Sequence, residues 1–115
     1  MNIQIFGKRK CFDTKKAVRF FKERNIKFQE ISLEEKGISK GELNSVINSV
    51  GDLDILLDEK TKNKDALLLI KYSPEETKIE KILEHPEVLK TPIVRNKNQA
   101  TIGYKPDIWK KWIEN

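Results

Sequence analysis

Cys11 is the only cysteine among the 115 residues, in the stretch FGKRKCFDTKKA of residues 6–17. Three cations precede it, and the residues after it have the pattern of a first helical turn. A helix N-terminus carries unpaired N–H groups and partial positive charge, which favour a thiolate over a thiol. The Thr14 hydroxyl is spaced to donate to the sulfur, whereas the Asp13 carboxylate opposes ionisation. We therefore predict a nucleophilic thiol, with a buried and inert cysteine as the alternative.

A single cysteine restricts the chemistry available to this thiol. No disulfide can form within the chain, so any exchange involves a second molecule. The thiolate would attack an external disulfide and then be released by an external thiol, either glutathione or a protein thiol. The sequence holds no phosphate loop, metal-ligand spacing or Ser/His/Asp arrangement. We expect no bound cofactor and no metal, with glutathione as the candidate co-substrate.

The net charge of +5 is unevenly distributed along the chain. Residues 1–27 contain nine Lys and Arg against two acidic residues, so the remaining 88 residues are slightly acidic. Such a basic lobe attracts anions, yet no RNA-binding aromatic signature accompanies it, and we do not expect nucleic acid as a partner. No apolar run approaches the ~18 residues of a membrane helix, and no secretory signal is recognisable. These features favour a monomeric cytoplasmic protein that does not contact membranes.

The elements that would position Cys11 follow from apolar periodicity. Alternating apolar residues predict strands at 2–6 and 26–33, and helical spacing over 13–24 connects them. A strand, a helix and a second strand in this order form a parallel pair joined by a right-handed crossover. Cys11 then lies between the first strand and the helix.

The rest of the chain is predicted to be a helical insert followed by a hairpin and a final helix. The insert covers approximately residues 37–90. Within it, Ser39 and Glu42 form a capping box, and Ser73 is expected to cap a helix whose first residue is Pro74. Residues 93–102 have the pattern of a β-hairpin, and an amphipathic helix begins at Pro106. The order β-α-β … β-β-α predicts one α/β domain over residues 1–115, with a thioredoxin-like (glutaredoxin-like) arrangement.

Three blocks of sequence resemble the arsenate reductase (ArsC) family, which includes the Spx-type regulators. They are FGKRKCFDTKK, ISKGEL, and EHPEVLKTPIVRN followed by ATIGYKP, and they span almost the whole chain in the family's order. The resemblance implies a thioredoxin fold in which Cys11 starts the first helix. It also implies a cis peptide bond between Thr91 and Pro92 that faces the cysteine.

The candidate site has a catalytic residue, supporting residues and anion ligands. Cys11 is the predicted nucleophile. Its supporting residues are Lys10, Thr14, Lys15, Thr91 and Pro92. Candidate ligands for an anion or for glutathione are Lys8, Arg9, Arg95 and Lys105.

Departures from the family pattern decide between its branches. Arsenate reductases of this family hold their oxyanion with arginines at three places, where this chain has Asp58, Thr91 and Lys105. Lysine supplies only a point charge and no bidentate contact, so we do not expect arsenate reduction. The second cysteine of the Spx-type switch corresponds to Thr14, which excludes an internal switch. The prediction is monothiol redox activity, and the alternative is a non-enzymatic Spx-like regulator that binds RNA polymerase.

Overall fold

A computed structural model describes residues 1–114, which form a four-stranded sheet covered by helices on both faces. The strand order is β2-β1-β3-β4. β1 is parallel to β2, whereas β3 is antiparallel to both β1 and β4. The arrangement is thioredoxin-like, as predicted. The strands are β1 (Ile3–Gly7), β2 (Phe28–Ser32), β3 (Ile93–Asn96) and β4 (Gln99–Ile102).

One face of the sheet is covered by α1 (Phe12–Glu23) and α5 (Pro106–Glu114). Side chains of β1 alternate between the two faces, so Ile3 and Ile5 point to this layer. Trp109 is fully buried here, and its ring lies 5.3 Å from that of Phe20 in an edge-to-face contact. This aromatic packing fixes α1, and therefore its N-terminal end, against the sheet.

The insert covers the opposite face with three helices and two short 3₁₀ turns. Its core includes Phe6 of β1 and Ile93 of β3. None of the helices within residues 1–114 has the length and apolar character that crossing a bilayer would require. The helices are α2 (Lys40–Val50), α3 (Lys64–Lys71) and α4 (Glu75–Glu84), and the 3₁₀ turns are Leu53–Leu56 and Pro86–Val88.

Local signals in the insert and hairpin are largely confirmed. The Ser39 hydroxyl accepts from the Glu42 N–H, and the Glu42 carboxylate accepts from the Ser39 N–H. Gly51 ends α2 with a φ of 89°, which glycine adopts without strain. A two-residue turn joins β3 to β4. These elements depend on contacts within a few residues, which explains why sequence patterns find them.

Two predicted boundaries are wrong. The second strand was expected at 26–33 but starts at Phe28, because the Ile26 N–H donates to the Phe21 oxygen and still belongs to the turn that ends α1. Ser73 was expected to cap α4, but its hydroxyl donates to the Leu69 oxygen and closes α3 instead. Pro74 is the N-cap and Glu75 the first helical residue.

Candidate functional site

Cys11 is the N-cap residue of α1, in extended conformation with φ −90° and ψ 114°. Its N–H donates to the Lys8 oxygen at 3.2 Å, and its oxygen accepts from the Lys15 N–H at 3.3 Å. The Cys11 thiol donates to the Thr91 oxygen, with 3.6 Å between Sγ and O. The peptide bond from Thr91 to Pro92 is cis. The expected position of Cys11, at the start of the helix and facing a cis proline, is confirmed.

The pKa of the half-buried Cys11 thiol is set by opposing effects. Burial raises the pKa, because a buried thiolate loses hydration. Hydrogen bonding from the Thr14 and Thr91 side chains and from the Thr14 and Asp13 main chain lowers it. Together these hydrogen bonds outweigh burial, so the pKa of Cys11 lies below the ordinary value for a thiol. The shift is in the direction that a nucleophilic thiol requires.

Close packing against β1 fixes the Thr14 side chain in a position to hydrogen-bond the Cys11 sulfur. The residue is buried, and within residues 1–114 its Oγ1 has no hydrogen-bond partner other than the Cys11 sulfur. Its methyl carbon would lie only 2.2 Å from a Cβ on Gly7, so the side chain occupies the space that a larger residue there would need. A buried hydroxyl without another partner is available to donate to a thiolate at Cys11.

The three cations before Cys11 have different roles. Lys8 Nζ donates to the oxygens of Glu87 and Leu89 at 2.8 and 2.7 Å. Arg9 lies on the surface with its guanidinium 3.4 Å from the Glu35 carboxylate. Lys10 is exposed and makes no ion pair within the described chain. Lys8 and Arg9 are thus engaged by the protein itself, and only Lys10 of the three is unengaged in the resting molecule.

A groove of about 1240 Å³ opens at Cys11 and runs between the insert and the end of β4. Thr91 and Lys105 line it together with Cys11, and so does Asp58. Its walls also include residues 58–63 and 100–103. The groove is the space in which a substrate would reach the sulfur.

Arg95 is the one candidate ligand that does not line the groove. Its guanidinium donates to the Ser45 hydroxyl at 3.2 Å and to the Gln4 side-chain oxygen at 2.6 Å. It therefore connects β3, β1 and α2, and it is not among the residues that line the groove. Pro92 is buried beside Thr91, and Lys15 lies over the Phe12 ring at 5.6 Å.

Residues 6–112 match the sequence profile of the ArsC family. The chain belongs to the ArsC family. A member of known sequence, the global transcriptional regulator Spx 2 of Oceanobacillus iheyensis, is 28% identical over 109 residues, which cover 93% of this chain and 80% of that protein.

Solved structures of ArsC-like proteins share the fold. An ArsC family related protein from Bacteroides fragilis superimposes with a TM-score of 0.82 at 21% identity, covering 96% of this chain and 97% of that one. An arsenate reductase from Vibrio cholerae gives a TM-score of 0.81 at 22% identity, with coverage of 96% and 97%. At these identities the likeness establishes the fold alone.

The three positions at which this chain lacks the arginines of arsenate reductases lie close together in the fold. Asp58, Thr91 and Lys105 all line the groove at Cys11, although they are far apart in sequence. Sequence reasoning missed the lysines of residues 60–62 and the apolar residues Ile55 and Ile108, which line the same groove. No local pattern marks them, because only the tertiary fold of the insert and α5 brings them to Cys11.

Proposed function

We propose that this ArsC family member is a monothiol exchange protein that acts through Cys11. The observation that carries the proposal is the placement of the sulfur. It stands at the N-terminus of α1, 3.6 Å from the Thr91 oxygen, at the mouth of an open groove. The lowered pKa of Cys11 and the Thr14 hydroxyl, which bonds no group other than this sulfur, support a reactive thiolate.

The exchange proceeds in two displacements. The Cys11 thiolate attacks the glutathione sulfur of a mixed disulfide, which breaks the S–S bond and releases the substrate as a thiolate that takes a proton from water. A glutathione thiolate then attacks the glutathione sulfur now bound to Cys11, forming oxidised glutathione and regenerating the Cys11 thiolate. The substrate disulfide is reduced by two electrons, and two glutathione sulfurs end in one disulfide. Throughout, the Thr14 hydroxyl stabilises the negative sulfur, as nucleophile first and as leaving group second.

Alkylation of Cys11 as a function of pH tests this proposal, with mass detection of the single adduct. A pKa well below the ~8.5 of an ordinary cysteine is expected, together with turnover of a glutathione mixed disulfide that Cys11→Ser abolishes. An alkylation pKa at or above the ordinary value, without turnover, would contradict the proposal. Since Cys11 is the only cysteine, no other thiol contributes to the signal.

A second function is favoured by one observation, the 28% identity to the regulator Spx 2 over 93% of the chain. In this alternative the protein binds RNA polymerase without chemistry at Cys11. Capture of purified RNA polymerase by the wild type and by Cys11→Ser with equal affinity would support it. Absence of binding by either would leave the exchange function as the sole proposal. Arsenate reduction is not proposed, because Asp58, Thr91 and Lys105 provide no guanidinium groups.

A further inference from the structure

The groove at Cys11 is lined by lysines that the protein does not neutralise. Within residues 1–114, their ammonium groups make no hydrogen bond and have no carboxylate oxygen within 4.0 Å. All are exposed, so their charges face the solvent from which a ligand would approach. These five lysines are Lys10, Lys60, Lys62, Lys90 and Lys105.

The carboxylates of the same groove, in contrast, are each engaged by a neighbour. Asp58 accepts from the Lys60 N–H at 2.9 Å and lies 3.9 Å from Lys8 Nζ. The other four pairs are Glu59 with Lys71 at 2.6 Å, Glu34 with the Arg9 N–H at 2.8 Å, Glu87 with Asn63 at 2.7 Å, and Asp13 with Lys16 at 3.9 Å. Asp13, Asp58 and Glu59 each lie within 4.0 Å of an ammonium group, whereas Glu34 and Glu87 bond neutral N–H donors and keep their charge. Since seven Lys and Arg line the groove against five Asp and Glu, the net charge that faces a ligand is still positive.

An apolar strip accompanies these cations along the groove. Val50 and Ile102 are half-buried, while Ile55 is 45% exposed and Ile108 is 40% exposed. An apolar side chain of a ligand that lies on this strip would remove apolar surface from water, which favours binding. A small inorganic anion would leave it exposed.

The edge of β4 adds one main-chain pairing position. The Ala100 N–H donates to Ser49 Oγ, and the Ser49 hydroxyl in turn donates to the Ala100 oxygen, so the outward groups of Ala100 are occupied. The Gly103 N–H donates to the Pro92 oxygen across the hairpin. Along an antiparallel ladder, residues alternate between main-chain groups that point to the neighbouring strand and groups that point away from it. The N–H and C=O of Ile102 therefore point away from β3, at a residue that lines the groove. An extended peptide is the ligand that uses such groups.

From these features we propose that the groove binds an extended, acidic segment of a partner protein and presents its cysteine disulfide to Cys11. Acidic side chains meet the five lysines, an apolar side chain covers the strip, and the ligand's main chain pairs with Ile102. The volume of about 1240 Å³ exceeds the ~300–1,000 Å³ of small-molecule sites, which favours a peptide over glutathione alone. The inference rests on the proposed function, since it names the substrate of that same thiol.

Two matched peptides test the inference. Each carries one leucine and one cysteine activated as a mixed disulfide with thionitrobenzoate, and they differ only in having glutamates or glutamines at the remaining positions. Thionitrobenzoate is a better leaving group than glutathione, so Cys11 attacks the peptide sulfur of this probe, forms the protein–peptide disulfide and releases thionitrobenzoate. The absorbance of thionitrobenzoate gives the rate at which the groove presents a peptide disulfide to Cys11. The glutamate peptide is expected to react on the order of ten-fold faster at low salt, and added salt should reduce this ratio.

Paired variants assign the effect to the groove. In Lys60→Gln/Lys62→Gln, the rate for the glutamate peptide should fall towards that of the glutamine peptide. Lys110→Gln/Lys111→Gln removes the same charge from exposed positions on α5 that do not line the groove, and it should keep the ten-fold ratio. An equal fall in both variants would overturn the inference, because net charge alone would then explain the preference.

The remaining outcomes separate this inference from the proposed function. Equal rates for the two peptides would overturn the inference while Cys11 still exchanges, which preserves the proposed function. No reaction with either peptide would overturn both. A single-stranded oligonucleotide that suppresses the reaction more strongly than polyglutamate at equal charge would also overturn it, since the groove would then prefer phosphates.

Discussion

The ammonium group of Lys8 lies 2.7 Å from the main-chain oxygen of Leu89. Lys8 belongs to the loop that holds Cys11, and Leu89 belongs to the segment that leads to Thr91. A second bond, to the Glu87 oxygen at 2.8 Å, strengthens the same connection. The side chain is 20% exposed, so these charge-assisted bonds are shielded from water. Lys8 thus holds together the two segments whose separation sets the contact between Cys11 Sγ and the Thr91 oxygen.

Replacement of Lys8 by Met should lower the free energy of unfolding by about 2–3 kcal/mol, because two carbonyl oxygens lose charged donors. Lys10→Met is the matched control, since its ammonium makes no such bonds, and its effect should stay within about 0.5 kcal/mol. Urea denaturation of both variants measures the difference. Equal midpoints would contradict a structural role for Lys8.

Replacement of Thr14 by Val should raise the pKa of Cys11, because the thiolate loses the hydroxyl donor while the side-chain shape is kept. Thr14→Ser retains the hydroxyl and should keep the lowered pKa. The pH dependence of alkylation measures both. If the valine and serine variants titrate alike, hydrogen bonding from Thr14 is not the cause of the shift.

Replacement of Gly7 by Ala should destabilise the fold by about 1–3 kcal/mol, because the new Cβ would meet the Thr14 methyl at 2.2 Å. The double variant with Thr14→Ala removes that methyl and should lose less stability than the sum of the two single changes. Gly41→Ala is the control: nothing lies within 4 Å of its Cβ, and in α2 it should stabilise by up to about 1 kcal/mol. Additive losses in the double variant would exclude the contact as the cause.

Stability should depend on pH through Cys11. Its pKa is lower in the folded chain than in the unfolded chain, so the unfolded chain binds more protons at intermediate pH and stability rises with pH. This contribution is complete above the ~8.5 of an unfolded thiol and disappears as pH falls through the lowered folded value. The stability difference between wild type and Cys11→Ser, from urea denaturation under reducing conditions, should therefore grow with pH. A difference that is constant with pH would contradict the shift.

Sequence patterns predict those parts of the molecule that depend on near neighbours. The Ser39 and Glu42 capping box, the Gly51 helix end and the hairpin all follow from residues a few positions apart. Ser73 shows the limit even at short range, because a hydroxyl between two helices can donate to a carbonyl of the preceding helix or accept from an N–H of the following one. It bonds back to α3, and the pattern alone does not rank the two choices.

The site is harder to predict because its contacts are distant in sequence. Lys8 and Arg95 have the same character in the sequence, since each is a cation near a strand end and a candidate anion ligand. In the fold, Lys8 bonds a segment about eighty positions away, and Arg95 bonds Gln4 and Ser45. Lys8 lines the groove, but its ammonium is engaged by two main-chain oxygens, and Arg95 does not line the groove. Only tertiary structure distinguishes a structural cation from one that is left for a ligand.

The bond between Ser49 and Ala100 also limits what the sheet can do in a concentrated solution. Edge strands with continuous unpaired main-chain groups recruit strands from other molecules, and ribbons grow by repeating that step. In β4 the Ser49 hydroxyl pairs with both outward main-chain groups of Ala100. In the part of the strand that leads to the groove, only Ile102 then keeps outward main-chain groups for a ligand. The main-chain groups of this one residue can orient a short bound peptide, but they cannot nucleate a continuous β-ladder between molecules. The same serine therefore keeps the edge usable for exchange and protects the molecule from self-assembly.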